Sequence, residues 1–128
     1  WDGGRLAMIL AELESRCGVA FTGLDVYLNV AVGLSISEPG ADLAVAAALV
    51  SAREDAALPS DAVVFGEISL SGALRPVVQT ENRLKEAQKL GFTSAIIPQQ
   101  AKKAQAEGLA LRSASDLVGF VEDVFGAR

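Results

Sequence analysis

The sequence predicts a mixed α/β domain, and three observations predict it. Segments with helical apolar spacing alternate with short strand-like segments along the 128 residues. Asp25 to Gly33 places Val26, Leu28, Val30 and Val32 in alternation with Asp25, Tyr27, Asn29 and Ala31. That period of two marks a strand, because a helix repeats every 3.6 residues. Glycine-bearing turns at Thr22-Gly23 and between Gly66 and Gly72 add hairpins, which a regular doubly wound sheet lacks.

The elements follow in order. Asp2 caps a first helix in which Leu6, Ile9, Leu10, Leu13 and Cys17 recur at helical spacing, and Gly18 stops it. Val19 to Phe21 and Asp25 to Gly33 are two strands around a turn. Ser37 caps the next helix, with Pro39 tolerated in its first turn. From Ala41 to Val50 that helix is nearly all Ala, Leu and Val, a composition expected of a helix buried on several sides. Asp42 is the exception, and its simplest role is to favour the helix dipole. After the Leu58-Pro59-Ser60 turn comes a strand at Ala62 to Phe65, then a hairpin bracketed by Gly66 and Gly72 and returning through Ala73 to Val77. Thr80 caps a helix to Leu90, with Glu81 and Lys85 placed to pair one turn apart. Thr93 to Pro98 is a short buried strand, and Leu109 to Leu111 another. Ser113 and Asp116 form a capping-box pattern ahead of Leu117, Phe120, Val121, Val124 and Phe125.

Composition narrows the chemistry. Half the residues are apolar but only 5% are aromatic, so Ala, Val, Leu and Ile must build the core. A chain of this length buries enough surface to fold without disulfides or a structural metal. Its single thiol, Cys17, permits no internal disulfide and fits a reducing cytoplasm. The absence of histidine removes Ser-His-Asp and Cys-His catalysis and argues against a zinc site. No Gly-x-x-x-x-Gly-Lys-Ser/Thr loop occurs, so nucleotide hydrolysis is not expected of this chain. No apolar run is long enough to span a membrane. The chain opens on Trp1 and enters a helical pattern at once, which reads as a segment of a longer protein.

Charge is uneven. The net charge of −5 argues against a domain that coats nucleic acid generally. Residues 1–74 hold three basic and ten acidic groups, residues 75–103 six basic and two acidic, and residues 104–128 two basic and four acidic. Arg75, Arg83, Lys85, Lys89, Lys102 and Lys103 make up the basic stretch. Its plain reading is a solvated helix face and loop; its functional reading is a surface for backbone phosphates, sensitive to salt and blind to base sequence.

Two motifs carry a resemblance. Gly66-Glu67-Ile68-Ser69-Leu70-Ser71-Gly72-Ala73-Leu74-Arg75-Pro76-Val77 resembles the glycine-bounded hairpin of Lon protease domains, and Glu38-Pro39-Gly40-Ala41-Asp42 resembles the turn that carries the Lon nucleophile. At the nucleophile position stands Gly40, and at the base-lysine position Glu81. With Asp25-Val26-Tyr27-Leu28-Asn29-Val30, Val64-Phe65-Gly66-Glu67 and Arg83-Leu84-Lys85-Glu86-Ala87, the wording is similar to the C-terminal Lon-like domain of the RadA/Sms family. The resemblance implies a Lon proteolytic-domain-like fold (ribosomal protein S5 domain 2-like) over residues 19–128, with residues 1–18 a linker helix from an ATPase core. It implies a catalytically dead domain that serves as a hexamerisation scaffold for a DNA repair and recombination ATPase. By the same resemblance, ATP, Mg and Zn belong to the N-terminal part of the parent. Its partners are further copies in a hexameric ring, DNA duplexes or recombination intermediates, and a recombinase, all in the cytoplasm.

At the positions the resemblance assigns to the dyad, the residue chemistry agrees with a non-catalytic domain. A Ser-Lys dyad needs a hydroxyl to attack and a desolvated neutral amine to take its proton. Gly40 has no hydroxyl and Glu81 no amine. A displaced dyad would draw on Ser35 or Ser37 with Lys85, each of which has a simpler role as loop, cap and solvated cation. A Lon-like module that holds peptide without cutting it is the other alternative. Glu38, Asp42, Glu67 and Glu81 would converge in a Lon-like fold, yet their spacing matches no metal loop; contacts with Arg75 or Arg83 are the expected outcome.

Overall fold

A computed structural model of the protein describes residues 3–19, 39–54, 56, 58, 61–99 and 108–126. Helix α1 spans Gly3–Cys17. Ile9 and Leu13, one turn apart, are fully buried. Gly18 takes φ +70°, where a side chain would be strained, and the Val19 amide donates back to the Leu13 carbonyl at 3.1 Å. A 3₁₀ turn, Pro39–Ala41, leads into α2, Asp42–Glu54. As its composition predicts, α2 buries Leu43, Val45, Ala46, Ala47, Leu49 and Val50. The strands expected at Val19 to Phe21 and Asp25 to Gly33 lie outside the described residues but for Val19, as do Asp2 and Ser37, the expected caps.

Strand β1 is Ala62–Val64, and β2, Glu67–Ile68, pairs antiparallel with β3, Leu74–Arg75, as the glycine-bracketed hairpin predicts. Helix α3 spans Thr80–Lys89, β4 Ser94–Pro98, β5 Ala110–Ala114 and α4 Leu117–Phe125. Strands β1, β4 and β5 form a parallel sheet with β4 in the centre. Parallel neighbours require long crossovers, and the hairpin plus α3 supply the one between β1 and β4.

The alternation of β4 divides the interior. Ile96 faces one cluster with Ile9, Leu13, Leu43, Leu49, Leu117 and Phe120, so α1, α2 and α4 cover that face. Ala95 and Ile97 face the other with Phe65 and Leu84, beneath α3. A three-stranded sheet between helices, with a hairpin at its margin, is a mixed α/β arrangement. Helix α1 contributes Ile9 and Leu13 to the same core as α2 and α4.

Three local expectations need correction. Thr80 does not cap α3. The capping position is Gln79, at φ 57°, without a side-chain hydrogen bond, and the Thr80 hydroxyl instead donates to the Val77 carbonyl at 2.8 Å. The capping box at Ser113 and Asp116 is displaced by one turn. Ser113 continues β5 opposite Ile97, and Asp116 is itself the cap, accepting the Gly119 amide at 2.7 Å. Pairing with β4 holds residues 112–114 extended, so the helix starts later than the motif suggests. Glu81 and Lys85 are exposed, and no ion pair joins them. Truncating the true cap, Asp116→Ala, is expected to lower stability by about 1 kcal/mol in urea unfolding, whereas Ser113→Ala at an exposed strand position changes it little.

Candidate functional site

The site grows from the start of α2. The Gly66 amide donates to the Gly40 carbonyl at 2.9 Å, and the Leu43 amide donates to the Gly66 carbonyl at 3.0 Å. Asp42 is fully buried, and its Oδ2 accepts the Ile68 amide at 3.0 Å. Three hydrogen bonds therefore lock the turn holding Gly40 to the mouth of the hairpin. Gly66 has no room for a side chain: a Cβ there would sit 2.7 Å from Pro98 Cγ and 3.4 Å from Leu43 Cδ2. Pro98 is fixed at the end of the central strand and cannot yield, so Gly66→Ala is expected to cost about 1–3 kcal/mol in a urea titration.

Beside this junction lies an apolar cleft of about 330 Å³. Gly40, Ala41 and Ala44 form one wall, Val63 to Phe65 the floor, and Ala87, Leu90 and Phe92 the other wall. Arg83 and Glu86 supply its charged groups. Ala41 of the 3₁₀ turn and Ala44 of α2 leave the volume open, since each stops at Cβ. Leu90 is 70% exposed although it is a large aliphatic residue, so this wall of the cleft reaches solvent.

The candidates from the sequence are distributed as follows. Gly40 is buried at the cleft wall. Glu81 is exposed near the start of α3 and is not among the lining residues. Arg83 lines the cleft, and its Nε donates to the Val78 carbonyl at 3.1 Å. At 3.6 residues per turn, Lys85 lies on the side of α3 away from Arg83 and Leu90, beside Glu81, whereas Lys89 lies between that side and Glu86 at the cleft. Both lysines are exposed. Arg75 is exposed on β3 and stands opposite Glu67 across the hairpin, a favourable cross-strand pairing of charge. Lys102, Lys103, Ser35, Ser37 and Glu38 lie outside the described residues. Among the described residues no three carboxylates or thiols gather as metal ligands.

Two features of the site escaped the sequence. The dipole reading of Asp42 missed its bond to the hairpin, for which the signal was one charge at the head of an otherwise apolar helix. The contribution of Phe92 to the cleft follows from chain reversal at Gly91, φ +98°, which local periodicity does not encode.

A family model described as subunit ChlI of Mg-chelatase matches residues 7–101. The chain belongs to this ChlI family. The matched span of the ChlI domain includes α2, the hairpin, α3 and every residue that lines the cleft. The ChlI domain is also similar to curated proteins named DNA repair protein RadA. It is 68% identical over 98 residues to that of Brucella abortus (strain 2308), covering 77% of this chain and 21% of the relative. It is 47% identical over 110 residues to that of Synechocystis sp. (strain ATCC 27184 / PCC 6803 / Kazusa), covering 86% and 22%. With that of Aquifex aeolicus (strain VF5) the identity is 42% over 125 residues, covering 98% and 28%. The chain thus spans between about a fifth and a little over a quarter of the length of these relatives.

Proposed function

We propose that this chain is a non-catalytic, Lon-like domain of a RadA-type DNA repair protein, and that it acts as a hexamerisation scaffold which also touches duplex DNA during branch migration. The observation that carries the reading is the 68% identity to a protein named DNA repair protein RadA across three quarters of the chain. The Lon-like fold rests on the hairpin and turn motifs, which the structure places side by side through Gly40 and Gly66. Absence of peptidase chemistry rests on the two dyad positions: Gly40 at the cleft offers no hydroxyl, and Glu81 offers no amine. On this reading ATPase activity, with its ATP, magnesium and zinc, belongs to parts of the parent outside this chain. A recombinase is a further partner of that parent, and its compartment is the cytoplasm. Among the described residues no helix is long and apolar enough to cross a membrane.

DNA contact falls to the exposed cations, Lys85 and Lys89 on α3 and Arg75 on β3, joined by Lys102 and Lys103. Reversing charge in Lys85→Glu with Lys89→Glu is expected to weaken binding of a short duplex about tenfold or more at low salt. The slope of log affinity against log salt should fall by about two for the paired variant. Titrating fluorescent duplex over a salt series reads both, and unchanged affinity with an unchanged slope removes these lysines from the proposal.

The apolar cleft favours a second reading, a module that holds an unfolded peptide segment without cutting it. Leu90→Asp places a charge at its mouth on an exposed position. Loss of peptide binding in that variant, at unchanged particle mass, would support peptide holding over the scaffold role.

A further inference from the structure

We infer that Arg16 is a latch through which α1 controls the conformation of the hairpin tip between β2 and β3. This inference is independent of the proposed DNA-repair role. Arg16 lies in the last turn of α1, and its Nε is paired with Glu12 one turn earlier. Glu12 is only 9% exposed, so its charge needs that partner. The pairing fixes the guanidinium in direction, and its Nη2 then donates to the Leu70 carbonyl at 3.3 Å, 54 residues away.

The hairpin is built to receive it. Gly72 takes φ +84°, and a Cβ at that position would lie 2.6 Å from Arg16 Cδ and 2.9 Å from its Nε. The arginine stem therefore lies across the space that a side chain would need. The tip beneath it is a tight turn, in which the Gly72 amide donates to Ser69 and the Ser69 amide donates to Ala73. Its far side is joined to α4, since the Leu117 amide donates to the Gly72 carbonyl at 2.9 Å. Leu70, 78% exposed, is carried outward by this turn. β2 and β3 have only two residues each, too little ladder to order a tip unaided. The tip is also tied to the start of α4 through Leu117 and Gly72 and through Leu74 and Ser115; Arg16 adds the tether from α1, through which a shift of α1 would act on the tip and on Leu70.

Coupling of this kind is reciprocal: what α1 does to the hairpin, the hairpin does to α1. Amide hydrogen exchange on Arg16→Ala and Arg16→Lys tests it. Lysine retains a charge for Glu12 but lacks the second, forked donor for Leu70. Both variants are expected to speed exchange of the Ser69, Gly72 and Ala73 amides roughly three- to tenfold while the β4 amides Ile96 and Ile97 are unchanged. A uniform rise that includes β4 would reduce Arg16 to an ordinary stability contact, and no rise at the tip would remove the latch. A second readout is the cycle with Gly72→Ala. The alanine should cost less in the Arg16→Ala background, because the side chain it displaces is gone. Additive costs would overturn the latch.

Discussion

Phe120→Ala is expected to lower the free energy of unfolding by about 3–5 kcal/mol. Phe120 is fully buried on α4 and is the largest such side chain among the described residues. It belongs to the cluster that α1, α2 and α4 build against β4. The surroundings cannot close the hole, because Ala46 and Ala47 are already too short to reach further and Leu49, Leu117 and Ile96 are held by their own elements. A cavity that persists adds its own cost to the lost transfer energy. In a domain whose whole stability is expected near 5–15 kcal/mol, the variant should unfold at a much lower urea midpoint with little change in slope. A loss below about 1 kcal/mol would mean that Phe120 does not fill this core.

Asp42→Ala is the second large effect, expected at about 2–3 kcal/mol, with Asp42→Asn retaining most of the stability. The same side chain has two roles. An acid in the first turn of an exposed helix contributes about 0.3–1 kcal/mol through the dipole. Asp42 is fully buried, and removing its Oδ2 leaves the buried amide of Ile68 without its acceptor. Stranding a buried donor costs about 1–3 kcal/mol beyond the dipole contribution. Asparagine keeps an oxygen for that amide while losing the charge. Equal losses for Ala and Asn would mean that the carboxylate is needed for more than accepting the Ile68 amide.

Much of this arrangement was legible because several elements are decided locally. The apolar run of α2 declared its burial, Gly66 and Gly72 declared a hairpin, and Ala95-Ile96-Ile97 declared a buried strand. Gly18 declared the end of α1 through the conformation that glycine permits. Some failures lie where a partner distant in sequence decides, and others where the local backbone takes an unexpected turn. Ser113 had the right chemistry for a cap, but β4 holds it in a strand. Thr80 had the right chemistry as well, but Gln79 turns through the left-handed region and hands the hydroxyl to Val77. The basic stretch looked like one patch in the linear chain, whereas helical geometry turns Arg83 toward the cleft and Lys85 away from it. Gly40 and Gly66 became neighbours only in three dimensions, and so did Arg16 and Leu70.

The central claim is that this domain assembles rather than cuts. Its most direct test is the solution mass of the chain by light scattering, at low and moderate salt and over a range of concentrations. The account predicts a particle of about six times the 13.3 kDa chain mass, retained at moderate salt. A strict monomer at the highest concentration would contradict it, and would leave the apolar cleft beside Gly40 as the basis of the domain's role.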